Sequence, residues 1–214
     1  MALTFAQWKV RLAKAVLRDD LADDYGTFLN EALLKIQQKR SWLAMRTSAD
    51  LVIPTGAGRE TIALPAGFKE LQKRQAVQYL ADGGGFIPAD VVTEEQQIYR
   101  VWAFGGTPLT TWPPRIFLER QATGSVLGVI EPLSQVLNIR VKYFQFLPEL
   151  VTDSATSPIA DAYPGMVLAK AKVVAFTEIN DPIAAAFETE FDKQFAEAAR
   201  QEAYSEVVGR ETRM

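Results

Sequence analysis

The sequence predicts an α+β protein in which helical ends enclose a β-rich middle. Nine of the eleven prolines lie between Pro54 and Pro158, and ten of the thirteen glycines lie between Gly56 and Gly128. Apolar residues recur every three or four positions near both ends and every second position in the middle, which are the spacings of amphipathic helices and half-buried strands. We therefore expect an N-terminal helical hairpin and two long C-terminal helices to form a bundle, with a small β-rich domain inserted between them.

The first predicted part is the helical hairpin, over residues 1–46. Thr4 and Gln7 have the spacing of a capping box, which marks the start of the first helix. The second helix follows the acidic stretch 19–24, where Asp23 or Asp24 can act as its N-cap. Each helix has one apolar stripe, formed by Phe5, Trp8, Leu12 and Val16 in the first and by Tyr25, Phe28, Leu29, Ala32, Leu33 and Ile36 in the second.

The second predicted part is a β-rich insertion, over residues 47–151. Residues 47–54 and 59–64 flank a glycine-containing turn and are predicted to form a hairpin. The clearest strand is 137–143, where apolar and polar residues alternate strictly. Further strands are expected at 75–80, 115–121 and 125–130. Strands of this number and length predict a small sheet or barrel.

Helices are predicted again over residues 152–208, followed by a flexible tail at 209–214. Pro164 suits a first helical turn, and Asp181 followed by a proline suits the start of the last helix. In that helix Phe187, Phe191 and Phe195 recur at steps of four. This spacing is typical of a buried helix face, so we interpret the phenylalanines as core or helix-packing residues rather than a ligand site.

Composition excludes many functional classes, because the 214 residues contain no histidine and no cysteine. Histidine-dependent triads, cysteine nucleophiles and most transition-metal sites are thereby excluded. The net charge is −3, and the basic and acidic side chains number eight and five in residues 1–46, nine and eleven in 47–158, and six and ten in 159–214. No block is basic enough for a tight grip on nucleic acid. A signal peptide is not expected, because residues 1–5 lack a basic region followed by an apolar run, and a membrane span is not expected, because no apolar run approaches about 18 residues.

The remaining candidate motifs favour ordinary structure over catalysis. The acidic stretch 19–24 lacks the spacing and central glycine of a calcium loop, and residues 56–61 and 83–85 lack the lysine and the strand-to-helix setting of a phosphate loop. Nothing indicates an apolar pocket around Lys69. Trp112, beside two prolines, is typical either of a contact surface or of a side chain that caps a sheet. We predict no catalytic residue, no cofactor and no metal site.

Three longer motifs mark the joints between the predicted parts. They are ALPAGFKEL at 63–71, VKYFQFLPEL at 141–150, where the clearest strand ends, and AYPGMVLA at 162–169, where the last helices begin. Together with the helix–sheet–helix order, and over nearly the whole chain, these motifs resemble the head-to-tail adaptor (connector) proteins of tailed bacteriophages.

The resemblance implies a structural virion protein and not an enzyme. Members of this family form a ring, usually of twelve copies, between the portal protein and the tail nozzle or tail-tube protein, and double-stranded DNA passes through the lumen. The resemblance therefore implies a virion neck location, with assembly in the host cytoplasm. It points to two groups of contact residues: Glu206, Arg210, Glu211 and Arg213 for the portal, and Trp102, Phe104, Trp112 and Arg115 for the ring or the tail.

Two alternatives remain open from the sequence. A tail-completion or neck-terminator protein would also form a ring, but a smaller one that contacts tail proteins only. A carboxylate-dependent hydrolase would need two acidic side chains that converge in a cleft, and no spacing in the sequence predicts such a pair.

Overall fold

Helices and strands occupy separate stretches of the chain, so the predicted α+β class is confirmed. The structure is a computed structural model that describes residues 2–56, 60–72, 75–81, 84–89, 91–92, 116–121, 124–129, 133 and 135–211. These residues belong to two compact units. We call them the helical unit, Met1–Met45 with Phe146–Met214, and the sheet unit, Arg46–Gln145. The predicted division at 1–46, 47–151, 152–208 and 209–214 stays a prediction.

The described part of the helical unit contains five α-helices and two short 3-10 helices. The α-helices are α1 (Phe5–Val16), α2 (Tyr25–Lys39), α3 (Pro158–Ala162), α4 (Pro164–Glu178) and α5 (Ala184–Glu211). The 3-10 helices are Asp19–Asp24 and Leu43–Met45. Helix α1 packs against α2 and α4, α2 packs against α4, and α4 packs against α5.

The start of α1 follows from its sequence. Thr4 and Gln7 form the predicted capping box, because Thr4 Oγ1 accepts a hydrogen bond from the Gln7 amide and Gln7 Oε1 accepts one from the Thr4 amide. The predicted apolar stripe of the helix is buried. The helix ends at Leu17, whose backbone is left-handed with φ 56°.

The acidic stretch before α2 behaves differently from the prediction. Asp24 occupies the N-cap position, but its side chain makes no capping hydrogen bond. The cause is the 3-10 helix, which runs directly into α2 and keeps Asp24 in a helical conformation rather than the extended one that a capping side chain needs. Asp19, Asp20 and Asp23 are exposed in this 3-10 helix.

The phenylalanines of α5 pack into the core, as predicted. Phe191 is 1% exposed. Its ring lies between two ammonium groups, those of Lys39 at 5.0 Å and Lys170 at 4.6 Å from the centroid. Asp192 accepts from Lys39 at 2.7 Å, and Glu188 accepts from Lys170 at 2.8 Å. Cation–π contacts and ion pairs therefore dock α5 onto both α2 and α4.

The last helix differs from the prediction at both ends. It begins at Ala184, because the residues after Asp181 form a turn in which the Asp181 carboxylate accepts from the Ile183 amide at 2.9 Å. It continues to Glu211, so residues 209–211, which the sequence assigned to the tail, are helical. One glycine, Gly209, costs a helix only about 1 kcal/mol, which is too little to end it where no proline follows.

Among the described residues of the sheet unit, nine strands form two sheets. In chain order they are β1 (Arg46–Ile53), β2 (Thr61–Ala63), β3 (Phe68–Leu71), β4 (Val77–Leu80), β5 (Phe86–Pro88), β6 (Val91–Val92), β7 (Ile116–Gln121), β8 (Gly124–Val129) and β9 (Leu137–Gln145). One sheet has the order β1-β9-β4-β5, with β3 also beside β9, and the other has the order β2-β8-β7-β6. Apolar side chains of both sheets share one core.

The predicted hairpin of residues 47–54 and 59–64 is wrong, although both strands exist. β1 pairs antiparallel with β9, from Arg46 opposite Phe144 to Ile53 opposite Leu137, and β2 pairs with β8. β9 has the same alternation as β1 and offers a partner for all eight of its residues, which a three-residue β2 cannot. The residues between β1 and β2 therefore connect strands of two different sheets instead of two paired strands.

The segment after β9 belongs to the helical unit. Gln37 on α2 accepts from the Leu147 amide at 2.6 Å, and the side chain of Asn30 exchanges two hydrogen bonds with the backbone of Leu150. Farther along, the carbonyl of Ala155 accepts from the Phe5 amide at 2.8 Å. Polar side chains of α2 thus satisfy the backbone of a segment that has no regular structure.

One ion pair of the sheet unit shifts the pKa values of both partners. Arg140 on β9 donates to both carboxylate oxygens of Asp50, its cross-strand neighbour on β1, at 2.7 and 2.9 Å. Its guanidinium lies 4.1 Å from the centroid of the Phe86 ring. Hydrogen bonding to Arg140 lowers the pKa of Asp50 below its ordinary value, and the same bond raises the pKa of Arg140.

We predict that Arg140→Gln raises the pKa of Asp50 toward the value of a free aspartate. In the folded wild type the pKa is depressed, so the pair stabilises the fold above the unfolded pKa near 3.8 and this contribution is lost as the pH falls through the folded pKa. An NMR titration of the Asp50 carboxyl carbon measures the change. Lys142→Gln, two residues along the same strand, serves as the control, and an Asp50 pKa that responds equally to both variants contradicts the prediction.

Candidate assembly surfaces

The contact residues implied by the sequence fall at or beyond the limits of the described chain. Trp102, Phe104, Trp112 and Arg115 lie outside the described residues, as does Arg213. Glu206, Arg210 and Glu211 lie in the last turns of α5, where the structure describes the backbone but not these side chains. Their assignment to portal, ring or tail contacts stays a prediction.

The described part of α5 that leads to these turns is fixed by a buried carboxylate. Glu202 is 6% exposed, and its Oε1 accepts a hydrogen bond from the Leu43 amide at 2.6 Å. Its Oε2 lies 3.4 Å from Arg40 Nε, without the geometry of a hydrogen bond. The hydrogen bond from the Leu43 amide is therefore the main attachment of Glu202, and Arg40 adds electrostatic attraction to the carboxylate.

Trp42 completes the attachment between the end of α2 and the C-terminal helices. The indole is fully buried and its Nε1 donates to the carbonyl of Ile36 at 3.2 Å. Its ring contacts Tyr163, which precedes α4, at 5.1 Å and Phe195 on α5 at 5.4 Å between centroids. Burial raises the pKa of Tyr163, and the nearby Glu202 raises it further. The hydroxyl of Tyr163 therefore stays protonated at neutral pH.

An acidic end of the helical unit is formed where α1 meets α2 and α4 meets α5. Four exposed aspartates lie in or beside the first 3-10 helix, and Asp181 follows α4. Arg18 pairs with Asp20 at 2.7 Å and is also within electrostatic reach of Asp181, and both interactions raise the pKa of the guanidinium. Asp19, Asp23 and Asp24 add further exposed negative charge, so this end of the helical unit disfavours the approach of other anions.

An open, polar cleft of about 210 Å³ lies beside the N-terminus of α4, between Tyr163 and the Glu197 side of α5. Glu197 is the one carboxylate among its lining residues, so the cleft lacks the two converging acids that the hydrolase alternative requires. In the described ranges no three acidic side chains are grouped to hold a metal ion. No helix among the described residues is long and apolar enough to cross a membrane.

Sequence reasoning missed the two features that shape these surfaces. Glu202 falls on the buried face of α5, one turn after Ala198, and a lone acid at an apolar step was the available signal. Val10 on α1 and Leu17 just after it are exposed apolar residues seven positions apart, and this spacing was also readable.

Comparison with known proteins agrees with the resemblance stated from the sequence. The family model described as "SU10 adaptor protein" matches residues 3–212, which is nearly the whole chain. A search of curated proteins gave no match. The matched range includes both helical ends and the β-rich middle. The predicted kinship with phage head-to-tail adaptors is confirmed, and the chain belongs to the SU10 adaptor protein family.

Proposed function

We propose that this protein forms a ring of twelve copies between the portal and the tail nozzle or tail-tube protein of a tailed bacteriophage. Double-stranded DNA passes through the lumen of the ring, and the protein acts in the virion neck after assembly in the host cytoplasm. The observation that carries the proposal is the adaptor-family match over residues 3–212. It is a structural role, which requires shape and contact surfaces rather than a catalytic group.

The charge distribution supports passage of DNA without a tight grip. The helical unit, residues 1–45 and 146–214, carries 13 basic and 17 acidic side chains. A protein that binds duplex DNA firmly neutralises phosphates with clustered lysines and arginines, and affinity falls steeply with salt. An excess of carboxylates does the opposite, so a duplex can slide past the surface.

The C-terminal turns of α5 are proposed to contact the portal. Glu206, Arg210 and Glu211 lie beyond Glu202, whose hydrogen bond from Leu43 fixes the direction in which the helix continues. Contacts made by a helix of fixed direction cost less entropy than contacts made by a free tail. Trp102, Phe104, Trp112 and Arg115 are proposed for the contacts with the ring or the tail.

Electron microscopy of the purified protein, alone and mixed with its portal, tests the proposed role. We expect twelvefold rings seated on the portal. Sixfold rings that bind tail proteins but do not bind the portal support the tail-completion or neck-terminator alternative instead. A monomer that binds neither portal nor tail protein contradicts the proposal.

We predict that deletion of residues 209–214 leaves the fold intact and weakens portal docking. These residues follow the described core contacts of α5, so their loss should leave the thermal unfolding midpoint within about 2 °C of the wild type. Docking is measured by co-sedimentation with the portal. The exposed-site variant Lys35→Gln is the control, since its ion pair with Glu31 lies elsewhere on the helical unit. Wild-type co-sedimentation of the truncated protein contradicts the portal assignment.

We also predict that Glu202→Ala lowers the free energy of unfolding by about 1–3 kcal/mol, because it leaves the buried Leu43 amide without its acceptor. The matched variant Glu202→Gln keeps an oxygen that can accept from Leu43 and should cost less. Urea unfolding followed by circular dichroism compares the two. Equal losses for both variants would mean that the charge near Arg40, and not the hydrogen bond, holds the helix.

A further inference from the structure

Strand β1 forms an open edge of the first sheet. Among the described strands it pairs only with β9, and the sheet continues on the other side of β9. The pairing is regular over eight residues, from Arg46 to Ile53, with no bulge and no proline. Natural edge strands are often shortened, bulged or interrupted by proline, because their unpaired backbone groups can take up a further strand. β1 has none of these three protections.

The backbone of Lys142 on β9 shows which groups of β1 point to the open edge. The Lys142 amide donates to the carbonyl of Ala76 at 2.6 Å, and its carbonyl accepts from the Gln72 amide at 3.0 Å. Ala76 precedes β4 and Gln72 follows β3, and both of these strands lie on the side of β9 away from β1. Lys142 therefore makes no backbone bond to Ser48, its neighbour on β1.

The open edge consequently carries a regular row of backbone donors and acceptors. Successive residues of a strand direct their amide and carbonyl to opposite sides, so every second residue of β1 bonds to β9 and the residues between them do not. The residues whose backbone groups face the open edge include Ser48, Asp50 and Val52, and no described residue bonds to these groups. Only an extended polypeptide presents the matching row of carbonyls and amides, so the partner that fits is another strand.

The side chains of β1 are also incompletely covered. Ala49 and Leu51 face the common core but are only partly buried, whereas Val141 and Ile139, opposite them on β9, are 0% and 1% exposed. On the outer face of the sheet, Val52 is 51% exposed. A strand added at this edge therefore covers apolar surface on both faces of β1 as well as its backbone groups.

The opposite edge of the same sheet does not provide a partner of matching length. β5 has three residues, Phe86–Pro88, and its proline has no amide to donate. The next amide, that of Ala89, bonds back to Val77 of β4 at 3.0 Å. The strand that fits β1 must therefore come from a part of the chain other than β5.

The sequence between β6 and β7 contains a segment with the required composition. Residues 93–115 lie outside the described chain, and within them the run IYRVWAF at 98–104 consists of β-branched, aromatic and small residues apart from one arginine. Such residues favour strands. The run has seven residues, against eight in β1, so it can follow almost the whole open edge.

The two ends of this segment lie across the sheet unit from β1. β1 continues into β2 at one edge of the second sheet, whereas β6 forms the other edge. β6 and β7 pair in parallel, so residues 93–115 begin and end on neighbouring strands. A segment of this length can extend outward by about 11 residues, or roughly 35 Å of extended chain. Two different contact elements on opposite sides of one subunit give a head-to-tail contact, and such contacts can close into a ring.

We propose that residues 98–104 of one copy of this chain add as a strand to the open edge of β1 in the next copy. This inference rests on the proposed ring and names one contact between its subunits. It assigns Trp102 and Phe104 to the contact within the ring and not to the tail. The contact is made by the sheet unit.

The alternation of residues 98–104 sets which side of the added strand faces the core. Tyr99, Val101 and Ala103 form an uncharged set that covers the partly buried side of β1. The other set includes Arg100 and Trp102, and it faces outward because burial of an unpaired charge is costly. The outward set lies beside the exposed side chains of β1.

Hydrogen exchange of the β1 amides tests whether the edge takes up a strand. Before the ring forms, the amides of Ser48, Asp50 and Val52 should exchange fast, while those of Ala49 and Leu51 are protected by β9. In the ring, the three fast amides should slow by about tenfold or more. Mass spectrometry with electron-transfer fragmentation resolves single amides. Unchanged exchange at these three positions on ring formation overturns the inference.

Cysteine cross-linking identifies the strand that is added, because the chain has no cysteine of its own. Ser48→Cys protein is mixed in turn with Ile98→Cys, Arg100→Cys and Trp102→Cys protein, and the assembled mixtures are oxidised with copper phenanthroline. Because each chain carries one cysteine, a disulfide between the two positions can form only between copies. We expect covalent dimers from at least one of the three mixtures, since all these side chains lie on the outer face.

The opposite alternation provides the matched control. Tyr99→Cys and Val101→Cys point to the core side and should give much less dimer with Ser48→Cys. Equal cross-linking at all positions indicates a loop that touches β1 without pairing, and this overturns strand addition. Dimers from Ser48→Cys alone indicate that two β1 strands pair with each other, which also overturns it.

Ser48→Pro gives a third readout of the same edge. Proline removes an amide that β9 does not use, and edge strands tolerate it, so the thermal midpoint of the free subunit should stay within about 5 °C of the wild type. The protein concentration at half assembly, measured by analytical ultracentrifugation, should rise about tenfold or more. Ala49→Pro removes an amide that bonds to β9 and should destabilise the subunit itself. Wild-type assembly of folded Ser48→Pro protein overturns the inference, and the exchange and cross-linking experiments decide it without a proline.

The outcomes separate this contact from the proposed function. If the wild type forms rings on the portal and none of the three mixtures gives dimers, the strand contact is wrong while the adaptor role stands. If Ser48→Cys and Trp102→Cys cross-link only when both are in one chain, the segment covers its own β1 and the inference is overturned. If the wild type neither self-associates nor docks on a portal, both proposals fall together.

Discussion

The helical unit depends on the enclosure of Trp42, where the two ends of the chain meet. The indole follows α2 and is held by its bond to Ile36, and it is covered by Tyr163 and Phe195, which lie more than 100 residues later. The adjacent Leu43 amide is satisfied by Glu202 of α5. Without the C-terminal helices, a tryptophan and a buried amide would be exposed at the end of the hairpin. The N-terminal helices therefore gain most of their stability from a part of the chain that is synthesised last.

The sheet unit has the same dependence on a late element. β9 pairs with β1 along its whole length on one side and with β3 and β4 on the other, so three early strands share one late partner. Long-range pairing of this kind requires closure of a loop of roughly 90 residues before it gains stability. Because β9 leads directly into the segment that packs on α2, the residues from 137 onward complete both units. A chain that lacks the residues from 137 onward can form neither a complete core nor complete assembly surfaces.

Elements that depend on residues close together in the chain could be predicted from local sequence patterns. The capping box at Thr4 and the buried face of Phe191 follow from residues within one or two turns, and both were predicted correctly. The strand that pairs with β1 was predicted wrongly. The glycine-containing turn after β1 favoured the next strand along the chain, whereas the actual partner, β9, is distant in sequence. The bond between Glu202 and Leu43 spans 159 residues and has no local signature. For α1, periodicity correctly identified the stripe from Phe5 to Val16 that packs into the core.

The ionisable groups make the charge pattern of the surfaces insensitive to pH near neutrality. The chain has no histidine, and the ion pairs move carboxylate and guanidinium pKa values away from neutral, down for Asp20 and Asp50 and up for Arg140. Between about pH 5 and 8 no side chain has an ordinary pKa at which its charge would change. Exposed charges are, however, screened by salt over a Debye length of about 8–10 Å. Exposed ion pairs such as Lys9–Asp153 therefore weaken as the ionic strength rises, whereas the buried apolar contacts around Trp42 are not screened.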